Sequence, residues 1–295
     1  MIPFSFFIGQ NHSGKGEDSM RYKTPLFLFF VLLIAFSLPA SAQFTSEETA
    51  EFEKWERFLE EAEIIEEDQP WGEKEAVTKP WLLTLEKDGI TKQAVWKNAQ
   101  GRMGGFIENW KWEIAAYQLS KALGLDMVPP TVEKRLHANR GSCQLFIDHM
   151  MTLKQRVEDD VKMPSYKVFN WNRALYLQRA FDNLIANEDR HQNQYLILED
   201  WRMVLIDHSR SFRISKKFTT KLIYNEKYRE GKRLMRELPR TFVEKLKTLD
   251  FASVKEAVGE YLTDKEIEAV LLRRDLILDW LKIFIEKQGE DKVLY

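Results

Sequence analysis

Two aspartates flank a short predicted hairpin in the middle of the chain. Asp189 lies in the polar loop NEDRHQNQ, which follows a long helical pattern, and Asp207 follows the apolar run MVLI. The runs YLIL and MVLI surround the turn residues EDWR, a pattern typical of two short antiparallel strands. Because a hairpin returns the chain to the end where it began, we expect both carboxylates to lie within reach of one ligand.

Two carboxylates in this arrangement suit phosphoryl transfer. One aspartate orients or deprotonates the attacking hydroxyl, and the other holds a magnesium ion against the phosphates. The same chemistry needs a strand lysine for the phosphates and a glutamate on the following helix to hold that lysine. Lys97 ends a predicted strand, and Glu113 lies early in the helical pattern WKWEIAAYQLSKALG. The sequence therefore predicts all four parts of a phosphoryl-transfer site in the required order.

The N-terminus has the pattern of a secretory signal peptide. Basic residues precede the 13-residue apolar run LFLFFVLLIAFSL, and Ala40 and Ala42 occupy cleavage positions. The run is short for a membrane span, which needs roughly 20 residues. We predict that residues 1–42 are a signal segment whose true start is Met20. The protein is then exported to the periplasm or secreted, without a stable membrane span; an uncleaved anchor is the alternative.

Composition narrows the function classes. The chain is 44% hydrophobic and 31% charged, an ordinary globular composition, and its net charge of −2 gives no support for nucleic-acid binding. The single cysteine, Cys143, excludes an intrachain disulfide and a multi-cysteine zinc site. The sequence leaves the oligomeric state open.

The remaining chain divides into three segments. Residues 43–75 contain an acidic amphipathic helix, predicted over 45–65, and a lead-in. Residues 76–148 combine strand patterns with one central helix, and residues 149–295 are mostly helical, as is the part from about residue 213 onward. The sequence therefore predicts an α+β fold with a small β-rich lobe and a larger helical lobe.

The motifs resemble one group of kinases. Asp189-Arg190-His191 resembles the catalytic loop of the protein-kinase-like superfamily branch that contains secretory-pathway Golgi casein kinases, HipA-type kinases and phosphatidylinositol 3- and 4-kinases. Ile206-Asp207-His208-Ser209 resembles their metal-binding segment. EIAAYQLSKALGLDMVPPTVEKR, GSCQLF and NEDRHQNQYLI are similar to uncharacterised bacterial members, and the resemblance covers residues 76–282. We expect Arg190 and His191 to hold the catalytic loop in place rather than to transfer protons.

The resemblance implies a two-lobed protein-kinase-like fold that binds ATP between the lobes, with Mg²⁺ or Mn²⁺. It implies that Asp189 is the catalytic aspartate and Asp207 the metal ligand. It also implies that Lys97 and Glu113 are the pair that anchors the nucleotide.

The resemblance assigns further residues to the nucleotide and the metal. Gln144–Asp148 resembles the hinge beside the adenine, so Gln144 and Phe146 are expected to contact the nucleotide. The second metal contact of the family is an asparagine five residues after the catalytic aspartate. Gln194 stands at that position here and Asn193 precedes it, so both are candidate metal ligands.

Two further features depart from the family. The segment PWGEKEAVTKPW, where a glycine-rich phosphate loop is expected, contains only Gly72. An exported protein also meets little ATP in a bacterial periplasm. Three functions therefore stay open: a phosphotransferase, a pseudokinase that serves as a nucleotide-binding or scaffolding module, and an enzyme that transfers AMP.

The acceptor is predicted only by class. Its hydroxyl belongs to a protein or to a small molecule such as a sugar or a lipid headgroup. Residues 209–236 contain ten lysines and arginines against two glutamates, which favours an acidic acceptor. A solvated helical face would explain the same residues equally well.

Overall fold

The computed structural model describes residues 43–68, 79–225 and 235–295. The predicted signal segment 1–42, most of the glycine-poor segment 70–81 and part of the basic stretch lie outside these ranges. In the ranges that are described, no helix is both long enough and apolar enough to cross a membrane.

Strands dominate the first half of the described chain. They are β1 (Glu63–Asp68), β2 (Trp81–Lys87), β3 (Ile90–Lys97), β4 (Gln100–Met103), β5 (Phe106–Asn109), β6 (Thr131–Leu136) and β7 (Asn139–Leu145). A separate small sheet contains β8 (Met151–Thr152), β9 (Tyr195–Ile197) and β10 (Met203–Leu205).

Helices dominate the second half of the described chain, but some also lie in the first half. Those of the first half are α1 (Ser46–Ala50), α2 (Phe52–Glu61) and α3 (Trp110–Leu123). The second half contains α4 (Leu153–Glu158), α5 (Val168–Ile185), α6 (Lys216–Thr219), α7 (Arg240–Thr248), α8 (Phe251–Val258), α9 (Asp264–Gln288) and α10 (Glu290–Val293). The predicted α+β class, with a β-rich part followed by a helical part, is confirmed.

The main sheet is antiparallel, with strand order β1-β2-β3-β7-β6. Trp96 of β3 is buried in a cluster with Phe58 and Leu59 of α2, so α2 covers one face of the sheet. Side chains alternate between faces along a strand, and Lys97 therefore points to the other face, where it contacts Glu113 of α3. This alternation directs the predicted phosphate-binding lysine away from the α2 core.

A buried lysine fixes α2 to the sheet. The Nζ of Lys134 on β6 donates hydrogen bonds to the carbonyl oxygens of Leu59, 2.7 Å away, and Ala62, 2.8 Å away. These carbonyls lie at the C-terminal end of α2, where carbonyl oxygens have no hydrogen-bond partner within the helix. Lys134 therefore both closes the helix and holds it against the sheet.

Several local predictions are confirmed. The hairpin turn around Asp88-Gly89 joins β2 to β3, and YLIL and MVLI pair as β9 and β10. Gly124 ends α3 with a φ of 63°, a left-handed conformation that glycine adopts without strain. The predicted capping boxes begin α1 and α9.

Two predicted elements are wrong. The helix predicted over 45–65 ends at Glu61, and the acidic run after it is the edge strand β1, where outward-facing charges are tolerated. The predicted loop GRMGG contains parts of the β4–β5 hairpin. The described chain from about residue 213 is mostly helical, as predicted, although residues 213–225 contain only the short α6.

Helix α5 ends where the polar loop begins. Ala186 adopts a φ of 52°, and the N–H of Asn187 bonds to the carbonyl of Asp182 at 2.9 Å. The chain therefore leaves the buried helix sharply and enters the segment that carries Asp189.

Candidate active site

Lys97 joins two carboxylates from different parts of the chain. Its Nζ lies 2.8 Å from Glu113 Oε1 and 2.8 Å from Asp207 Oδ1. The predicted contact between Lys97 and Glu113 is confirmed, while its nucleotide-anchoring role stays a prediction. Strand β3, helix α3 and the segment after β10 thus meet at one cation.

The charges in this cluster stabilise one another. Burial disfavours the charged form of each group, but the mutual attraction outweighs it. The pKa of Lys97 is raised despite burial, because Asp207 and Glu113 lie beside it. Despite burial, the pKa of Asp207 and that of Glu113 are both lowered, mainly by the charge of Lys97. All three groups are therefore charged at neutral pH.

The backbone around Asp207 is held in an uncommon conformation. Asp207 has a φ of 61°, which strains a residue with a side chain. The N–H of His208 donates to Glu113 Oε2 at 2.8 Å, and Ser209 Oγ donates to Asp207 Oδ1 at 3.1 Å. These bonds fix the direction of the Asp207 carboxylate, whose side chain remains 32% exposed.

Gln194 contacts the same carboxylate. Its Nε2 donates to Asp207 Oδ2 at 3.1 Å, and its Oε1 accepts the N–H of His191 at 3.2 Å. Gln194 is buried, whereas Asn193 is half-buried beside it, with its N–H 3.4 Å from His191 Nδ1. The structure thus brings Gln194, rather than Asn193, into contact with Asp207, and their metal-binding roles stay predictions.

Arg190 ties the loop to its surroundings from within the core. Its Nε and Nη2 each lie 3.0 Å from a carboxylate oxygen of Asp182 on α5, and both side chains are fully buried. Nη1 donates to the carbonyl of Ile206 at 2.6 Å, and Nη2 lies 2.9 Å from His208 Nε2. These contacts confirm that Arg190 holds this loop in place, while the catalytic role of the loop stays a prediction.

His208 completes this network as a neutral ring. Burial lowers the pKa of His208, and the neighbouring Arg190 guanidinium lowers it further against the opposing effect of Glu113. A neutral ring can accept the Arg190 hydrogen bond at Nε2.

Asp189 makes its contacts outside the Lys97 cluster. Its N–H donates to Asn187 Oδ1 at 3.2 Å, and its Oδ2 lies 3.0 Å from Arg210 Nη1. Burial raises the pKa of Asp189 against the opposing charge of Arg210, and the charge of Asp207 raises it further.

The two hinge candidates lie in different surroundings. Gln144 pairs with Val95 in the sheet, which puts it on the face of Lys97, and its Nε2 donates to Thr131 Oγ1 at 2.9 Å. Phe146 lines a cavity of about 520 Å³ beside α2. Their contacts with a nucleotide stay predictions.

The residues at Asp207 fit a divalent metal ion. An ionised carboxylate that is partly exposed suits Mg²⁺, which proteins commonly hold through one or two carboxylates together with substrate phosphates. No cluster of three histidine, cysteine, aspartate or glutamate side chains that could hold a metal occurs among the described residues.

Comparison with known proteins supports the fold. No protein-family model and no curated protein matches the sequence. A solved structure described as hydra Fam20 with sugar matches with a TM-score of 0.63 at 15% identity, over 87% of this chain and 95% of that one. The chain therefore has a two-lobed protein-kinase-like fold. At this level of identity the likeness concerns the fold alone.

Two residues of the site were missed in the sequence. Glu108 on β5 is buried and pairs with Arg210, which in turn contacts Asp189. In the sequence, Arg210 stands out only as part of the basic stretch, and its position three residues after Asp207 is the signal that could have assigned it to the site. No sequence signal indicates Glu108, because its strand is not predicted.

Proposed function

We propose that the protein is a divalent-metal-dependent phosphotransferase that transfers the terminal phosphoryl group of ATP to a hydroxyl. The observation that carries this proposal is the position of Lys97 between Glu113 and Asp207, 2.8 Å from each. A lysine shared in this way is poised to exchange one carboxylate for a phosphate. An ion pair with a purely structural role would need only Lys97 and Glu113, whereas here the partly exposed Asp207 contacts the same Lys97 ammonium group.

Each group has a separate task. With the nucleotide bound, Lys97 would keep its contact with Glu113 and bind the phosphate oxygens, and Asp207 would hold the metal ion. The metal ion would supply positive charge that offsets the charge on the phosphates. Gln194 and Ser209 keep Asp207 oriented through the bonds described above.

Asp189 acts on the acceptor. It accepts the proton of the acceptor hydroxyl while that oxygen forms its bond to the terminal phosphorus. The bond between this phosphorus and the bridging oxygen breaks, and ADP leaves with the electron pair. Its raised pKa makes Asp189 a better proton acceptor than an ordinary aspartate.

The acceptor and the location are further parts of the proposal. Arg213, Lys216, Lys217 and Lys221 follow Asp207 in the described part of the basic stretch, which supports an acidic acceptor, on a protein or a small molecule. The signal-peptide pattern of residues 1–42 supports export. N-terminal sequencing of protein recovered from cells tests export, and an N-terminus at Gln43 is the expected result.

A nucleotide-binding module without transfer is the second candidate. It is favoured by Gln194, whose amide oxygen accepts the His191 N–H and whose nitrogen faces Asp207. To bind a second metal ion, the Gln194 amide would have to rotate so that its oxygen, rather than its nitrogen, faces the metal. This candidate predicts nucleotide binding without transfer of any label.

Labelled ATP tests the proposal. With Mg²⁺ or Mn²⁺, label from the γ-phosphate is expected in an acceptor such as dephosphorylated casein or in released phosphate, and Asp189→Ala should abolish the transfer. Transfer from α-labelled ATP would instead identify an AMP-transferring enzyme. Full activity of Asp189→Ala would overturn the assignment of the catalytic aspartate.

A further inference from the structure

Arg210 connects the two lobes at the candidate catalytic aspartate. It follows Asp207 by three residues, and its side chain is only 12% exposed. Nη1 lies 3.0 Å from Asp189 Oδ2, while Nε bonds to Glu108 Oε1 on strand β5. One guanidinium therefore links the catalytic loop to the β4–β5 hairpin of the β-rich lobe.

The hairpin is built to hold this arginine. Glu108 is 1% exposed, and its Oε2 has no hydrogen-bond partner among the described residues. A buried carboxylate is costly unless it is paired, and its ion-pair partner in the described chain is Arg210. The ring of Phe106 lies 4.3 Å from the guanidinium carbon, and the N–H of Asn109 donates to the Ser209 carbonyl at 3.0 Å. Both ends of β5 thus fix the segment that carries Arg210.

The contact of Arg210 with Asp189 is made at one carboxylate oxygen: Nη1 lies 3.0 Å from Oδ2. A carboxylate held at one oxygen has its second oxygen fixed in direction. That direction decides whether a hydroxyl can approach with its proton aligned.

We propose that Arg210, held by Glu108, is the positioning residue of Asp189: it binds Oδ2 and leaves Oδ1 to take the acceptor proton. This inference rests on the proposed function, since it concerns the same transfer. As the acceptor O–H bond breaks, the proton moves to Oδ1, the oxygen bonds to the terminal phosphorus, and ADP leaves with the electron pair of the broken P–O bond. Arg210 touches none of the reacting atoms.

The test compares Arg210→Ala with Arg173→Ala. Arg173 on α5 is the control, because it is also a partly buried arginine, 28% exposed, and it pairs with Glu237 rather than with Asp189. Rates of γ-label transfer to dephosphorylated casein or to water give kcat and KM for ATP. Titration calorimetry with MnATP gives nucleotide affinity independently of turnover.

Arg210→Ala should lower kcat about 100-fold, the usual effect of misplacing a catalytic group, and should leave KM and MnATP affinity unchanged. Added guanidinium chloride at millimolar concentration should restore part of kcat in this variant and none elsewhere. Arg173→Ala should leave kcat unchanged. Arg210→Lys keeps the fold and the charge but cannot contact Glu108 and Asp189 together, so its kcat should be intermediate.

Glu108→Gln tests the second half of the inference. Alone, Glu108→Gln should lower kcat. In a protein that already carries Arg210→Ala it should lower kcat little further, because both changes release the same contact. Wild-type kcat in folded Arg210→Ala or Arg210→Lys would overturn the positioning role while leaving the proposed function intact. Absence of γ-label transfer by the wild-type protein would overturn the proposed function itself, and the positioning role with it.

Discussion

The substitution Asp182→Ala removes the carboxylate that balances the charge of Arg190 in the core. The two side chains are fully buried and share two contacts of 3.0 Å. Asp182 also accepts hydrogen bonds from Gln178 and from Asn187, at 3.3 Å in the latter case, so the change leaves several donors without a partner. Arg190 keeps the carbonyls of Gln194 and Ile206, but no carboxylate remains to balance its charge.

The expected cost follows from this burial. Breaking one partner of a buried ion pair costs about 3–5 kcal/mol, because an uncompensated charge stays in the core. One kcal/mol lowers the Tm of a domain of this size by about 2–4 °C, so Asp182→Ala should lower Tm by roughly 6–20 °C. Nucleotide affinity should also fall, since Arg190 holds the carbonyl of Ile206, directly before Asp207.

Calorimetric unfolding measures this effect against a surface control. Asp291→Ala removes the contact of 2.9 Å between Arg240 Nη2 and Asp291 Oδ1, where the Asp291 side chain is 98% exposed. Solvent screens such a pair, so Tm should not change. If Asp182→Ala lowers Tm no more than Asp291→Ala does, the argument from a buried charged network at the catalytic loop is wrong.

Two further changes test the surroundings of Lys97. A Cβ at Gly141 would lie 2.5 Å from the Lys97 carbonyl oxygen and 2.5 Å from the Trp96 ring, so Gly141→Ala should destabilise the fold by about 1–3 kcal/mol in urea unfolding. An unchanged urea midpoint would contradict the close packing of β3 on β7. The folded-state pKa of Asp207 lies below its ordinary value, so its charge stabilises the fold at neutral pH and this stability is lost as the pH falls below about 4. Asp207→Asn should therefore be less stable than the wild type at pH 7 and should approach it at low pH; a constant difference across pH would refute the ion pair.

Local patterns made much of the site predictable. Lys97 ends an alternating strand, Glu113 begins a capped helix, and the β9–β10 hairpin returns the chain to Asp207, so residue spacing alone indicated their order. The contact between Lys97 and Glu113 followed from that order. Arg190 was expected to hold the loop, although nothing in the sequence identified Asp182 as its partner.

The missed features depend on distant contacts or weak patterns. Glu108 and Arg210 are separated by 102 residues, and no periodicity connects them. Strands β4 and β5 have four residues each, too few for alternation to be evident around Gly104 and Gly105. Strand β1 is acidic, which disfavours a strand by propensity, and it forms because it pairs with β2 at the sheet edge.

Binding of MnATP, measured by titration calorimetry, tests most directly whether Lys97, Glu113 and Asp207 form a nucleotide site. The wild-type protein should bind MnATP and bind ATP more weakly without metal, because the Asp207 carboxylate can exchange Lys97 for a metal ion. Asp207→Asn should lose the metal dependence, and Lys97→Ala should lose most of the affinity. Absence of binding with both Mg²⁺ and Mn²⁺ would contradict every nucleotide-dependent function proposed for this site.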